Sequence, residues 1–194
     1  MALLRESDLL ARGSIELNQI NKASLAMEGL HAREDSVSAS GFDVFLSHSS
    51  NESKKLLAGI KKTLESFNFS VYIDLFDDPQ LSLANVNIDT ANTIKSRMKI
   101  SKSLVYVYSS YSTQSRWMPW ELGYFDGLKG KVGILPTNEV ETTYKHEEYL
   151  ALYPHIDLEE GSLTKKNELW INESTSRYAA FRGWIDNKEK IRDR

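Results

Sequence analysis

The chain has 194 residues, of which 41% are hydrophobic and 26% are charged, a composition typical of a globular protein that buries a sizeable core. Its formal net charge is -3 and it contains no dense run of lysine and arginine, so neither a nucleic acid nor an anionic membrane is expected as a partner. The absence of cysteine excludes thiol nucleophiles, disulfides and cysteine-type zinc sites, and it fits a reducing compartment.

The first 40 residues predict a helical extension that precedes the main domain. Apolar residues recur there at helical spacing, and Gly13 is expected to interrupt the pattern, which predicts one or two helices. Residues 31–41 are small and polar and predict a linker. The first ten residues carry charges where a signal peptide is apolar, and no apolar run of about 18 residues occurs, so a cytoplasmic protein is expected. We therefore divide the chain into an extension with its linker, residues 1–40, and a domain of residues 41–188.

From residue 42 onward, short apolar runs alternate with helical patterns. Strands are predicted at residues 43–47, 69–74, 103–109 and 131–136, with a weaker strand at 153–157. Helices are predicted between them, and a last helix is outlined by Tyr178, Phe181, Trp184 and Ile185. This alternation indicates βαβ units and a parallel sheet with helices on both faces. Ligands of such sheets lie beyond the carboxyl ends of the strands.

Small hydroxyl side chains and one imidazole follow the first predicted strand. Ser47, His48 and Ser49 begin this segment, and Ser49 to Glu52 has the form of a capping box that would start a helix directly after the strand. Free backbone N–H groups at a helix start favour an anion such as a phosphate. The alternative is that Ser49 only caps the helix and that His48 faces solvent.

A long polar segment, residues 75–88, follows the second predicted strand. Loops of this length are uncommon in compact domains unless they bind or cover something, so a binding loop is predicted. Asp77 and Asp78 stand near its start and resemble metal ligands. A hard cation needs more converging oxygens than the nearby sequence offers, and turn formation explains the Asp-Asp-Pro order equally well. No metal site is expected.

The stretch SRWMPWELGYFDG follows the third predicted strand and places one acid, Glu121, among large aromatic side chains. Proline is accepted only in the first turn of a helix, so Pro119 predicts a helix that begins near Trp117 or Met118 with Glu121 in its first turn. The helix dipole stabilises an ionised carboxylate there, whereas apolar rings raise its pKa, and such opposed effects are common at functional carboxylates. Trp117 is predicted to form an apolar wall beside Glu121. The competing interpretation is a helix-capping acid among core aromatics.

Four segments together resemble a bacterial Toll/interleukin-1 receptor (TIR) domain: FDVFLSHSSNES, FSVYID with its long following segment, SKSLVYVYSSYSTQSRWMPWEL and KVGILP. The resemblance is good over residues 41–136 and looser as far as residue 184, and the spacing from Trp117 to Glu121 is its most specific part. It implies a flavodoxin-like sheet of five parallel strands with helices on both faces, which agrees with the alternation above.

Many members of this family cleave NAD+, release nicotinamide and leave ADP-ribose or a cyclic form of it. By this resemblance Glu121 is the catalytic residue and NAD+ is the substrate, with no separate cofactor. The resemblance also implies a substrate-binding set made of Ser47, His48, Ser49, Asp77, Asp78 and Trp117. Some members carry arginines after the first strand where this chain has Ser49 and Ser50, so a charge-based phosphate contact is less well supported there.

The family resemblance further implies activation by self-association, together with a partner protein, in bacterial defence or signalling. Two other functions stay open at this point. One is a non-catalytic TIR adaptor that acts only by association, which the presence of Glu121 disfavours. The other is an enzyme like the nucleoside deoxyribosyltransferases, which also use a glutamate on a glycosidic carbon. Sequence does not decide between hydrolysis and cyclisation.

Overall fold

The computed structural model describes residues 6–27, 41–79, 81, 87–137, 149–160 and 167–193. The helices are α1 (Glu6–Met27), α2 (Lys54–Ser66), α3 (Asp74–Asp77), α4 (Ile88–Ile100), α5 (Trp117–Lys129) and α6 (Phe181–Ile185). The strands are β1 (Phe42–Ser47), β2 (Val71–Tyr72), β3 (Ser101–Tyr108), β4 (Val132–Pro136), β5 (His155–Glu160), β6 (Asn167–Asn172), β7 (Arg177–Ala180) and β8 (Arg192–Asp193). Among these residues, no helix is both long enough and apolar enough to cross a membrane.

The strands form one sheet in the order β2-β1-β3-β4-β5-β6-β7-β8. The first five strands pair in parallel, and their order, 2-1-3-4-5, is that of the flavodoxin-like fold. This confirms the predicted fold class. The sheet is wider than predicted, because β6, β7 and β8 extend it with antiparallel pairs beyond β5.

Alternation along the strands separates two apolar layers, one on each face of the sheet. In β1, Val44 and Leu46 point to the layer that packs under α2, whereas Phe45 points to the layer beneath α4 and α5. Successive side chains of a strand point to opposite faces, so Ser47 lies on the same face as Phe45. The last side chain of β1 is thereby directed toward α5.

Two of the predicted element boundaries are wrong. The second strand pairs only over Val71 and Tyr72, because α3 begins at Asp74, where Asp77 accepts a hydrogen bond from the Ile73 amide at 2.7 Å and so caps the helix start. The last helix is only Phe181–Ile185, and Tyr178 belongs to β7, where it pairs with Asn172. Both errors come from short elements whose type depends on neighbours distant in sequence.

The predicted capping box after β1 is also wrong. The N-cap of α2 is Ser53, whose side chain accepts from the Leu56 amide, so the helix begins at Lys54 rather than directly after the strand. Ser49 and Glu52 instead form a turn, in which the Glu52 amide donates to the Ser49 carbonyl at 3.0 Å. The Glu52 side chain accepts from the Ser53 amide and from the Ser109 hydroxyl. This turn keeps Ser47, His48 and Ser49 at the edge of the sheet.

The N-terminal extension contains one continuous helix, so the predicted interruption at Gly13 is wrong. Gly13 is buried where α1 crosses α2, and a Cβ atom there would lie 1.7 Å from the Lys55 carbonyl oxygen. At the same crossing, a Cβ atom on Gly59 would lie 1.9 Å from the Leu9 carbonyl oxygen. The two glycines therefore allow the two backbones to touch. The predicted linker lies mostly outside the described residues.

We expect Gly59→Ala to lower the free energy of unfolding by about 1–3 kcal/mol, because the added methyl group has no space between the helices. Urea unfolding measures the difference. Gly127→Ala is the matched control, because nothing lies within 4 Å of a Cβ atom at that exposed helix position. It should be neutral or raise stability by up to about 1 kcal/mol through helix propensity. Equal stability of Gly59→Ala and the wild type would contradict the close crossing.

Candidate active site

A buried hydrogen bond joins the end of β1 to α5. The Ser47 hydroxyl donates to Oε2 of Glu121 at 2.6 Å. Ser47 is 1% exposed and Glu121 is 6% exposed, so the carboxylate is almost removed from water. Among the described residues, Ser47 is the hydrogen-bond donor to this carboxylate, which leaves Oε1 without a protein donor. The site lies at the carboxyl edge of the parallel strands, where flavodoxin-like folds bind ligands.

The environment of Glu121 raises its pKa to about 7. Burial is the largest cause, because an ionised carboxylate loses its hydration. The Ser47 hydrogen bond acts in the opposite direction by stabilising the ionised form. The Asp74 carboxylate raises the pKa further and the charge of His48 lowers it. Near neutral pH the carboxyl group therefore exchanges readily between its two protonation states.

Glu121 lies beyond the first turn of its helix, contrary to the prediction. The helix begins at Trp117, as predicted, but its first turn contains no acidic residue. Glu121 is the fifth residue of α5, where the helix dipole is weaker because its effect falls off beyond the first turn. Desolvation, and not the helix dipole, is therefore the main influence on the pKa of Glu121.

His48 and Ser49 lie beside this hydrogen bond but are engaged with other protein groups. His48 is 7% exposed, and its Nε2 lies 2.8 Å from Oδ1 of Asp74 while its Nδ1 lies 3.0 Å from the Ser49 carbonyl oxygen. Burial opposes protonation of the ring, but the hydrogen bond and charge of Asp74, with help from Ser49 and Glu121, raise the pKa of His48. The Ser49 hydroxyl accepts from the Asn51 amide at 3.3 Å. The solvent-facing alternative for His48 is therefore wrong.

Asp77 and Asp78 are tied to the body of the domain. Asp77 pairs with Lys61 of α2 at 3.0 Å in addition to capping α3. Asp78 accepts two hydrogen bonds from Arg97 of α4, at 2.8 and 3.0 Å, and one from the Tyr72 hydroxyl at 2.8 Å. These contacts direct both carboxylates to α2, β2 and α4 and not to Glu121. Residues 80 and 82–86 of the predicted binding loop lie outside the described residues.

Trp117 belongs to an aromatic row along α5. It is half-buried against the apolar layer beneath α4 and α5, and its ring meets the ring of Trp120 edge-on with 5.2 Å between the ring centres. Trp120 stacks on Tyr124 at 5.9 Å, and the ammonium group of Lys95 lies 5.7 Å from both of these rings. The row gives α5 an apolar side next to the site. The wall that Trp117 would form beside Glu121 stays a prediction.

Sequence reasoning missed Asp74 as a member of this site. Asp74 is the last residue of the second predicted strand, and only its contact with His48 shows that it belongs to the site. A signal was present, because β1 and β2 are parallel neighbours and polar residues at their carboxyl ends meet at one edge of the sheet. Ser47, His48, Asp74 and Glu121 are thus the four side chains that the fold brings together.

These features define an α/β protein of flavodoxin-like topology with a buried carboxylate at the carboxyl edge of its sheet. No family model matches the chain. The chain is 42% identical, over 74% of its length and 75% of the relative's length, to "Probable 3' cyclic ADP-D-ribose synthase ThsB'" of Bacillus cereus strain MSX-D12. It is 36% identical, over 43% of its length and 22% of the relative's, to "Putative cyclic ADP-D-ribose synthase TIR2" of Cytobacillus dafuensis. The chain belongs to the family of bacterial TIR-domain proteins that contains these relatives.

We expect the unfolding free energy of Glu121→Gln to increase relative to that of the wild type as the pH rises. The folded-state pKa, about 7, lies above the ordinary value of 4.5, so the wild type loses stability between about pH 4.5 and 7 and not beyond. The neutral amide avoids this loss, and the gap in unfolding free energy should grow by about 2–3 kcal/mol between pH 5 and pH 8. Urea unfolding at both pH values measures it. A gap that is independent of pH would contradict the burial of an ionisable group at this position.

Asp126→Asn is the matched control for this measurement. Asp126 lies on the same helix, is exposed, and accepts a hydrogen bond from the Tyr153 hydroxyl at 3.1 Å. The substitution removes a carboxylate of α5 without changing the buried hydrogen bond between Ser47 and Glu121. The pH dependence of its stability should follow that of the wild type.

Proposed function

We propose that this protein cleaves the nicotinamide N-glycosidic bond of NAD+ and converts the remaining ADP-ribosyl group to a cyclic ADP-ribose. The observation that carries the proposal is the buried Glu121 carboxylate, held by Ser47 at the carboxyl edge of the sheet with its pKa raised to about 7. The names of the two relatives, both cyclic ADP-ribose synthases, support the choice of reaction. Perturbed carboxylates in such positions are candidates for catalysis.

The leaving group explains why a single carboxylate suffices. Nicotinamide in NAD+ is a cationic ring, so when its bond to C1′ breaks, the electron pair leaves with the nitrogen and the ring becomes neutral without a proton. The positive charge passes to the ribose, which becomes an oxocarbenium-like centre as in glycoside hydrolysis. No second carboxyl group is required as an acid, in agreement with a site built around Glu121.

In this reaction Glu121 acts in its ionised form. The Ser47 donor occupies Oε2 and fixes the orientation of the carboxylate, so Oε1 is the atom that faces the developing charge or hydrogen-bonds the ribose. A carboxylate that has already lost most of its hydration interacts strongly with a cation, because little water must be displaced. Arrival of the cationic substrate also favours ionisation of Glu121, which lowers its pKa below that of the free protein.

The fate of C1′ decides the product. Attack by water gives ADP-ribose, whereas attack by a nucleophilic atom of the same ADP-ribosyl group closes a ring. Water, or a hydroxyl group of the ADP-ribosyl group, releases one proton to solvent when its oxygen bonds to C1′. Both routes begin with the same bond cleavage at Glu121. The names of the relatives favour ring closure, so we assign the cyclic product to this chain. A dry site favours closure, because it limits the access of water.

Ser47, Ser49 and Trp117 are assigned to contacts with the nucleotide, and the segment that starts at Asp77 and Asp78 is assigned to covering it. Activity in the cytoplasm as a homo-oligomer, in defence or signalling with a partner protein, completes the proposal. Turnover per molecule that rises with protein concentration or with a crowding agent would support the oligomer.

The test is chromatography of the products formed from NAD+ by concentrated protein. We expect nicotinamide and a cyclic ADP-ribose in equal amounts from the wild type. Glu121→Gln should lower the rate at least about 100-fold, as expected for loss of one main electrostatic contact to the transition state. Asp126→Asn, which also converts a carboxylate of α5 to an amide, should retain activity. Equal rates for the wild type and Glu121→Gln would refute the assignment of Glu121, and cleavage of a free nucleoside in place of NAD+ would refute the substrate.

Ser47→Ala gives a second, independent prediction. Loss of the Ser47 donor removes a stabilising contact from the ionised carboxylate, so the pKa of Glu121 rises further. The fall of kcat/KM at low pH, which reports that pKa in the free enzyme, should move to higher pH by up to about one unit. A pH profile of nicotinamide release measures this shift. An unmoved profile would show that Ser47 does not set the ionisation of Glu121.

A further inference from the structure

Both hydrogen-bond partners of His48 are acceptors. Nδ1 lies 3.0 Å from the carbonyl oxygen of Ser49, and Nε2 lies 2.8 Å from Oδ1 of Asp74. A carbonyl oxygen and a carboxylate can only accept, so each contact needs a proton from the ring. A neutral imidazole carries one N–H group and would place a nitrogen lone pair against an oxygen at one of the two contacts. The imidazolium carries two N–H groups and satisfies both.

The ring is also withdrawn from solvent and from any direct role. His48 is 7% exposed, and both of its ring nitrogens lie within hydrogen-bond distance of protein acceptors. As an imidazolium in this position it has no N–H group left for a phosphate or a ribose, and no lone pair for proton abstraction. A substrate contact through the ring nitrogens would require the contact with Asp74 or with Ser49 to break.

We propose that His48 is a charged positioning residue, locked as an imidazolium between Asp74 and the Ser49 carbonyl, whose charge together with that of Asp74 sets the ionisation of Glu121. The part of this proposal that concerns catalysis rests on the proposed NAD+ cleavage. The part that concerns the charge state of the ring does not. Asp74 is a second positioning residue by the same argument, because it supplies the acceptor that requires the second proton.

Two titratable groups among the described residues act on the His48 ring, Asp74 at the start of α3 and Glu121 on α5. Their effect is visible in the raised pKa of His48, where the contribution of Asp74 and the smaller ones of Ser49 and Glu121 exceed the opposing effect of burial. Glu121 in turn responds to both members of the pair, with opposite signs. A charged His48 and a charged Asp74 together form a neutral pair, in which the charge of His48 offsets part of the effect of Asp74 on Glu121.

Replacing the two members of the pair should therefore have different consequences. His48→Gln leaves the Asp74 charge without a counter-charge beside Glu121, which raises the pKa of Glu121. In Asp74→Asn, the amide can donate to Nε2 while Nδ1 still donates to Ser49, so a neutral ring satisfies both contacts and the pair stays neutral. The first substitution changes the charge near Glu121 and the second does not.

The first experiment measures the protonation of His48 directly and requires no turnover. Nitrogen-15 NMR of the imidazole groups distinguishes a ring with two N–H groups from a ring with one, and His48→Gln assigns the signal among the four histidines. We expect both nitrogens of His48 to carry protons at pH 7 in the wild type. In Asp74→Asn we expect a ring with one N–H group at Nδ1 at the same pH. A singly protonated ring in the wild type at pH 7 would overturn the proposal.

The second experiment records the pH profile of kcat/KM for nicotinamide release. His48→Gln should move the low-pH limb upward by about one pH unit, whereas Asp74→Asn should leave that limb near its wild-type position. Equal displacement of the low-pH limb in both variants, or displacement in neither, would overturn the proposal, since a merely structural role predicts no such difference.

His155→Gln is the control for the loss of a buried imidazole. It removes the ring of a second His–Asp pair of the described residues, in which Nε2 of His155 lies 3.0 Å from Oδ2 of Asp157 on β5, three strands away from β1. The low-pH limb of its profile should keep its wild-type position. A wild type that releases no nicotinamide would refute the proposed function, and the NMR experiment would still decide the charge state of His48.

Discussion

The site depends on one unfavourable placement, a carboxylate held out of water between α5 and the end of β1. Burial disfavours the ionised form of Glu121, and the Ser47 hydroxyl makes the largest of the contributions that favour it. Neither residue reaches the other by local structure, because 74 positions separate them in the chain. Their contact follows from the sheet: Ser47 is the last residue of a central strand and points to the face that α5 covers. The parallel order of the strands is therefore what creates the site.

Three carboxylates at the start of the segment after β2 bind three different parts of the domain. Asp74 binds His48 after β1, Asp77 binds Lys61 of α2, and Asp78 binds Arg97 of α4. Two of these residues resembled substrate ligands in the sequence, yet their contacts give them a structural task. Asp78 is buried and its part-buried pair with Arg97 is bidentate, so loss of Arg97 would cost more than the pair itself contributes, because it leaves a buried carboxylate without its counter-charge. These three contacts fix the point at which the segment leaves the sheet. They also hold Asp74 near Glu121.

The fold was predictable from the sequence where elements are long and strongly patterned. The apolar runs of β1, β3 and β4 and the apolar face of α2 carry their own signal, and the positions of these elements follow from it. Prediction failed where a residue's state depends on a distant neighbour. Gly13 would end an isolated helix, but here it removes the side chain that would keep α1 from the backbone of α2. The sequence around His48 predicts a ring that faces solvent or binds a ligand. Only the contact with Asp74, which follows a different strand, shows that His48 is part of an ion pair. The catalytic candidate itself was predictable because its neighbours in sequence are also its neighbours in the helix.

The cost of burying Glu121 also connects the resting protein to the proposed reaction. In the free protein the carboxylate accepts from a single hydroxyl donor, and the nearby His48 ring is already paired with Asp74, so no cation fully compensates the charge of Glu121. The nicotinamide ring of NAD+ would bring that missing positive charge into the site. When the glycosidic bond breaks, the ring leaves as a neutral molecule and the charge moves to the ribose, which stays next to the carboxylate. A resident arginine or lysine at this position would compensate Glu121 permanently and weaken its interaction with the transition state. The absence of such a contact from the described surroundings of Glu121 is thus consistent with a site whose counter-charge is the substrate.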